Sequence, residues 1–442
     1  VRYLGHAGSD AEVAYRPPSA VEAERAADPI LGTARALLRR GAPAASLVEQ
    51  LDAVREEVQA VQSAVLDARP LGSGPDVMAP LAPRRPARVA AEVDRLTPED
   101  HDVTRRNVAE SINATLAELL SGDRRVMIFG EDVGTKGGVY GVTRGLARRF
   151  GRARVFDTIL DEQSILGLGL GAGVAGLLPI PEIQYLAYLH NAEDQLRGEA
   201  SSLSFFSQGR YRNPLVVRVA GLAYQKGFGG HFHNDNAVAV LRDVPGLVVA
   251  CPSRGDDAAA LLRTCVAAAS VDGTVSVFLE PIALYHTRDL HAVGDSGWLT
   301  VDERAHVPIG RARTYGPPDA ELTMITFGNG VPMSLRVAAR LKATGVTARV
   351  CDLRWLAPLP LDDIVSEAGR TGRVLVVDET RHDGGVGEGV VTGLVEGGFS
   401  GPLRRVASLN SFVPLGAAAQ HVLLTEDEIE KAAHQVAGMD RR

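Results

Sequence analysis

Glu162 stands in the run DTILDEQS, directly after an apolar segment and directly before the glycine-dense stretch GLGLGAGVAG. A carboxyl held among apolar groups is pushed towards its protonated form and can share a proton with a ring nitrogen. The same residues also suit a plain helix start, because Asp161, Glu162 and Ser164 favour a helix N-terminus. A second cluster runs from Gln225 to Asn236 (QKGFGGHFHNDN) and brings His231, His233 and Asp235 together. Its two histidines lie two apart, with no third histidine and no H-E-x-x-H pattern, which argues against a metal site. A glycine-rich loop carrying a catalytic histidine is the better reading; a surface loop with satisfied histidines is the plain alternative.

Other features have structural readings. Gly171-x-Gly173-x-x-Gly176 matches the dinucleotide fingerprint, yet it falls inside a helical pattern and not in a strand-to-helix turn. Its glycines therefore read as positions of close helix packing. Tyr185 and Tyr188 read as core or interface aromatics, with ring stacking as the second option. Asp378-Glu379 ends a strand before the turn Asp383-Gly-Gly385, and Trp298 and Trp355 read as packing residues. There is no P-loop, G-x-S-x-G or catalytic-cysteine context.

The elements that must position these residues are α/β in pattern. Near-continuous apolar runs predict strands at 126–130, 155–160, 179–184, 215–220, 247–253 and 275–280. A second unit begins after a polar stretch at 287–306, with strands at 322–328, 348–353 and 373–379. Such runs separated by helical patterns imply parallel sheets covered on both faces. Open parallel sheets hold ligands at the carboxyl ends of their strands, where the acidic and glycine-rich clusters fall. Upstream, Ser46 and Glu49 form a capping-box pattern before a stripe of Leu47, Leu51, Val54, Val58, Val61 and Val65, which predicts one amphipathic helix over 46–66. Alone it cannot bury that stripe, so it is expected to dock on something else. Pro70, Pro75, Pro80, Pro83 and Pro86 then predict an extended linker.

The chain's 442 residues imply two or three domains, and 45 % hydrophobic with 23 % charged residues excludes wholesale disorder. A net charge of -7 argues against a nucleic-acid surface. Lys136, Lys226, Lys342 and Lys431 are the only lysines among 47 basic residues, a bias of genome composition and not of chemistry. The 3 cysteines, without C-x-x-C, suggest neither a disulfide framework nor zinc. No apolar run reaches the roughly 18 residues of a membrane span and no signal peptide opens the chain, so a cytoplasmic protein is expected. The first residue is Val1, which suggests the later part of a longer polypeptide.

Over most of its length the sequence resembles a known family. GEDVGTKGGVYGVTRGLARRFGRARVFDTILDEQSILGLGLGAGVAGLLPIPEIQY, then PLVVRVAG, PGLVVACPS and VFLEPIALYH, resemble the beta subunit of thiamine-diphosphate-dependent 2-oxo acid dehydrogenases. DLRWLAPLPLDDI, TGRVLVVDET and HDGGVGEGV within 310–436 resemble the transketolase C-terminal domain. The opening VRYLGHAGSD, with Tyr15-Arg16, resembles the cofactor loop of the alpha subunit, and the helix at 46–66 that subunit's tail. The resemblance implies an α/β fold: an alpha-type remnant with a helical tail at 1–69, a Pro/Ala-rich linker at 70–100, a transketolase-like pyrimidine-binding domain at 101–295 and a transketolase C-terminal domain at 308–442. That is a fused alpha–beta chain shortened at its N-terminus.

The implied activity is oxidative decarboxylation of a 2-oxo acid, pyruvate or a branched-chain one, with acyl transfer to the lipoyl group of an acyltransferase core. Glu162 then matches the glutamate on the cofactor's aminopyrimidine nitrogen, where it assists removal of the thiazolium proton. Glu131 matches a supporting acid, and Tyr188 an aromatic ring against the aminopyrimidine. His233 matches the histidine of acyl transfer, with His231 as second choice. Arg2 and His6 match alpha-loop residues near the diphosphate and substrate. Three departures stand out. Ala7 replaces the family's serine, which puts kinase control there in question. NDNAVAVL replaces a serine-glutamine sequence, which puts the substrate and lipoyl contacts in question. The Gly-Asp-Gly motif with paired asparagines, source of the Mg2+ ligands, is absent and is expected upstream of Val1 or on a partner chain. The implied partners are the acyltransferase core and an alpha-type half or second copy, with neither nucleic acid nor membrane. The alternatives are a transketolase-like carbon–carbon ligase and a non-catalytic scaffold.

Overall fold

The computed structural model describes residues 6–99, 102–225 and 227–438 and divides into two compact units, 1–77 and 78–442. The first unit is helical: Pro18–Arg25, Pro29–Arg39 and Ala44–Leu66, none of which contains a buried residue. Asp28 caps the second helix by accepting from the Ile30 amide. The third begins two residues before Ser46, at Ala44 after Pro43, so the anticipated capping box at Ser46 and Glu49 is not formed. Proline's fixed φ already starts the helix there. Leu51, Val54, Val58, Val61 and Val65 along it are 40 to 65 % exposed, an apolar stripe laid out as the periodicity implies.

The larger unit holds two sheets. The strands are β1 Val126–Gly130, β2 Val155–Asp157, β3 Leu178–Ile183, β4 Leu215–Gly221, β5 Val248–Ala250 and β6 Val275–Pro281, followed by β7 Arg313–Tyr315, β8 Leu322–Thr326, β9 Ala348–Asp352, β10 Trp355–Ala357, β11 Val374–Arg381 and β12 Leu403–Ser408. The first sheet has the order β10-β5-β6-β4-β3-β1-β2 and the second β12-β11-β8-β9-β7. Every pairing is parallel except β10 with β5 and β7 with β9. β3, β4 and β6 are buried along their whole length, as strands covered on both faces must be. β10 leaves the C-terminal domain to complete the edge of the first sheet, which ties the two sheets into one body.

Asn107 and Glu110 form a reciprocal capping box at the start of helix Val108–Gly122. Helix Gly255–Asp272, rich in alanine, is buried nearly all round between that helix and the sheet. Residues 70–100 are not the extended linker that their prolines suggested. Pro86–Leu96 is a helix with Val89, Val93 and Leu96 buried against Gly255–Asp272. Pro86 sits at its first turn, where a missing N–H costs nothing, and the three apolar residues recur at helical spacing. Asp272 anchors its entry by accepting from the Arg84 and Arg85 amides at 2.8 and 3.1 Å. Among the described residues no helix is long and apolar enough to cross a membrane, and the three cysteines are buried and free.

Candidate active site

β1 ends at Gly130, whose φ of +154° and close approach to β3 admit no side chain: a Cβ would stand 2.5 Å from the Glu182 carbonyl oxygen. The chain then turns through Glu131. From β2 it runs to Asp161, which caps helix Glu162–Val174 by accepting from the Ser164 amide at 3.1 Å. The helix-start reading of this cluster is thereby realised. Asp161 and Ser164 make the cap, while Glu162 turns inward and is only 9 % exposed. Asn191 Nδ2 donates to Glu162 Oε2 at 3.3 Å. The glycines of this helix serve packing: a Cβ at Gly169 would meet Leu215 at 2.9 Å, and one at Gly173 the Pro214 carbonyl at 2.7 Å.

The Glu131 carboxyl is pushed up by partial burial, then by the negative charges of Asp132 and Glu162. Burial likewise raises the Tyr188 phenol, followed by the influence of Tyr185, Glu131 and Glu162. Glu131, Glu162 and Tyr188 thus share one electrostatic neighbourhood. Tyr185 and Tyr188 meet edge to face at 5.5 Å, and the His233 ring lies 4.8 Å from Tyr185 and 6.3 Å from Tyr188. The loop carrying His233 is pinned by Asn234. Its Nδ2 donates to the Ala223 carbonyl at 2.6 Å, and its Oδ1 accepts from Gly229 N and Gln225 Nε2, both at 2.9 Å.

His231 faces elsewhere, with its ring 4.7 Å from Phe412 and its Nδ1 3.9 Å from Asp235 Oδ1. His6 lies in the smaller unit, where its amide donates to Asp10 at 2.8 Å, and Arg2 lies outside the described residues. Of the anticipated site residues, Glu131, Glu162, Tyr188 and His233 come together within the larger unit.

Sequence reasoning missed Asn191 and a buried charge cluster in the first sheet. Arg218 on β4, 1 % exposed, donates to Glu182 on β3 at 2.6 Å and to Glu280 on β6 at 2.7 Å, and Tyr285 donates to Glu280 at 2.5 Å. Strand patterning could have flagged one charge inside each of three apolar runs. Asn191 carried no such signal. A cavity of about 1260 Å³ is lined by Arg95, Asn113, Arg144 and His286 among others and includes none of Glu131, Glu162, Tyr188 or His233.

The residues present fit the pyrimidine half of thiamine diphosphate: an inward carboxyl for a ring nitrogen beside a wall of aromatic rings. Among the described residues, no group of three or more His, Cys, Asp or Glu could hold a metal ion.

Two family models match the chain, the transketolase pyrimidine-binding domain over residues 105–286 and the transketolase C-terminal domain over 310–429. Their limits fall inside the two domains anticipated at 101–295 and 308–442. The pyruvate dehydrogenase E1 component subunit beta of Staphylococcus epidermidis is 34 % identical over 335 residues, covering 74 % of this chain and 97 % of that protein. Its Bacillus subtilis counterpart is 31 % identical over the same shares. The chain belongs to the 2-oxo acid dehydrogenase beta-subunit family. For this beta-type chain, solved structures bear out the transketolase-like fold. A split-gene transketolase, an inactive beta4 tetramer, matches with TM-score 0.60 at 18 % identity, covering 76 % of this chain and 100 % of that one. A Pichia stipitis transketolase matches at TM-score 0.54 and 13 % identity, covering 79 % and 50 %.

Proposed function

We propose that this protein is the thiamine-diphosphate-dependent component of a 2-oxo acid dehydrogenase complex, decarboxylating pyruvate or a branched-chain 2-oxo acid and passing the acyl group to a lipoyl domain. The observation that carries the reading is the convergence of Glu131, Glu162, Tyr188 and His233 at the carboxyl ends of β1 to β4. Thiamine diphosphate, when bound, supplies the nucleophilic carbon and the electron sink for decarboxylation. Glu162 holds a proton at the aminopyrimidine nitrogen, with Asn191 fixing its carboxyl. Tyr188 and Tyr185 confine the ring, and Glu131 stands close enough to Glu162 to feel its charge. His233 stands at the edge of the aromatic wall, where it would protonate the lipoyl sulfur released as the S–S bond breaks and the other sulfur takes the acyl group.

The diphosphate and its Mg2+ require an alpha-type half. Residues 1–69, with Arg2 and His6, are read as the end of such a half in a fused alpha–beta polypeptide, and the acyltransferase core is the partner that receives the acyl group. The test supplies the protein with its alpha-type half, thiamine diphosphate, Mg2+ and a lipoyl domain. The lipoyl domain is weighed after incubation with pyruvate and with branched-chain 2-oxo acids. A mass increase of one acyl group with at least one substrate is expected; none with any 2-oxo acid refutes the assignment.

A further inference from the structure

Asp235 is a carboxylate with a 1 % exposed side chain, held by groups from distant parts of the chain. His190 Nε2 lies 3.1 Å from its Oδ2, Arg381 Nη2 donates to its Oδ1 at 2.8 Å, and the Asn236 amide donates to the same oxygen at 2.9 Å. His231 Nδ1 stands further off, at 3.9 Å. His190 belongs to the short helical segment 186–192, and Arg381 ends β11 in the C-terminal domain. That segment carries three contacts: Tyr188 faces His233, His190 faces Asp235, and Asn191 donates to Glu162. A buried carboxylate persists only when paired and hydrogen-bonded, and charge-assisted bonds of this kind are the strong ones.

We propose that Asp235 is a positioning residue, its carboxylate tying the loop 227–236 to His190 and Arg381 and thereby setting where the His233 ring stands against Tyr185 and Tyr188. The claim rests on the assignment of acyl transfer to His233. Burial alone would push the Asp235 carboxyl up; the bond to His190 and the Arg381 charge outweigh it and hold it below its ordinary value. His190 is raised in turn, by its bond to Asp235 against burial, and then by Glu193 at 3.8 Å. Among the described residues, Glu193, Arg381 and His231 are the charged and titratable groups that face this pair. A raised imidazole contributes its anchor fully below the ordinary histidine value and loses it as pH rises through the raised one. Beside the pH-independent bonds of Asn234 and the Asn236 amide, the Asp235 carboxylate is therefore held by two charged partners at low pH and by Arg381 as its charged partner at high pH.

The test is hydrogen–deuterium exchange of residues 227–236 in the 442-residue chain, corrected for intrinsic exchange and followed across neutral pH. Asp235→Asn should raise exchange there by about tenfold or more while β4 and β6 stay protected. His190→Gln should remove the pH dependence, and Asp235→Glu should restore part of the protection. Protection of Asp235→Asn within about twofold of the parent overturns the anchor. Should Asp235→Asn fail to fold, Arg381→Met carries the same expectation. In the assembled enzyme, Asp235→Asn should lower acyl transfer to a lipoyl domain about tenfold more than dye-coupled decarboxylation. Equal loss of both overturns the positioning role. A parent enzyme without decarboxylation refutes the functional assignment instead, and the exchange measurement still decides whether the anchor exists.

Discussion

Replacing Arg218 with methionine tests how the centre of the first sheet is held together. Arg218 lies on the central strand β4 with Glu182 and Glu280 on the flanking strands, at 2.6 and 2.7 Å, and all three side chains are at most 10 % exposed. Methionine fills similar volume but leaves two buried carboxylates side by side without a cation. Removing one partner of a buried ion pair costs about 3–5 kcal/mol. For a unit of this size that corresponds to a fall in Tm of roughly 6–20 °C, at ~2–4 °C per kcal/mol. The sign with pH follows from the carboxyls. Burial already raises Glu182 despite its arginine, and without Arg218 it rises further. A carboxyl raised in the folded state leaves stability intact below its unfolded value, about 4.3, and removes it as pH climbs through the raised one. Scanning calorimetry of the variant should therefore show its Tm deficit growing from pH 5 towards pH 8, and the triple variant with Glu182→Gln and Glu280→Gln should recover most of the loss. A deficit below about 2 °C, or one of equal size at both pH values, refutes the reasoning.

Two further perturbations are expected to behave as follows. Glu379 is buried and pushed up to about 8 by its burial, against the hydrogen bonds from Asn329. Stability should accordingly fall between its ordinary value and about 8, by roughly 1.4 kcal/mol per pH unit at most, and Glu379→Gln should flatten that limb in denaturant titrations. Gly173→Ala would push a Cβ to 2.7 Å from the Pro214 carbonyl and should cost about 1–3 kcal/mol. Gly171→Ala meets nothing within 4 Å and should stabilise the helix by up to about 1 kcal/mol; melting temperatures of the two variants give opposite signs if these glycines act through packing.

Much of the fold was legible because β3, β4, β6, β8 and β9 are buried along their whole length, so their apolar runs are long and unbroken. β7 and β10 were not: both are short antiparallel strands added at sheet edges, and β10 owes its place to a partner in the other domain. β12 alternates too weakly, being only half buried. Helix Pro86–Leu96 was hidden by the surrounding prolines, although its own proline occupies the one turn that tolerates it. Glu162 was visible through its place after a strand and before a glycine-rich helix. The choice between His231 and His233 turns on the fold of the loop, where Asn234 sends the two rings to opposite neighbours. The Asp235 network was invisible in sequence because its partners lie 45 and 146 residues away.

The proposed role of the Glu162 carboxyl is to manage the proton of the cofactor's pyrimidine ring. The direct measurement is deuterium exchange at the thiazolium carbon of thiamine diphosphate bound to the assembled enzyme, read by NMR after acid quench, for the parent and for Glu162→Gln. With the cofactor still bound, the exchange rate should fall by about 10²–10⁴-fold in the variant, the contribution of a positioned acid–base group. Exchange at the parent rate in Glu162→Gln would show that this carboxyl does not manage that proton.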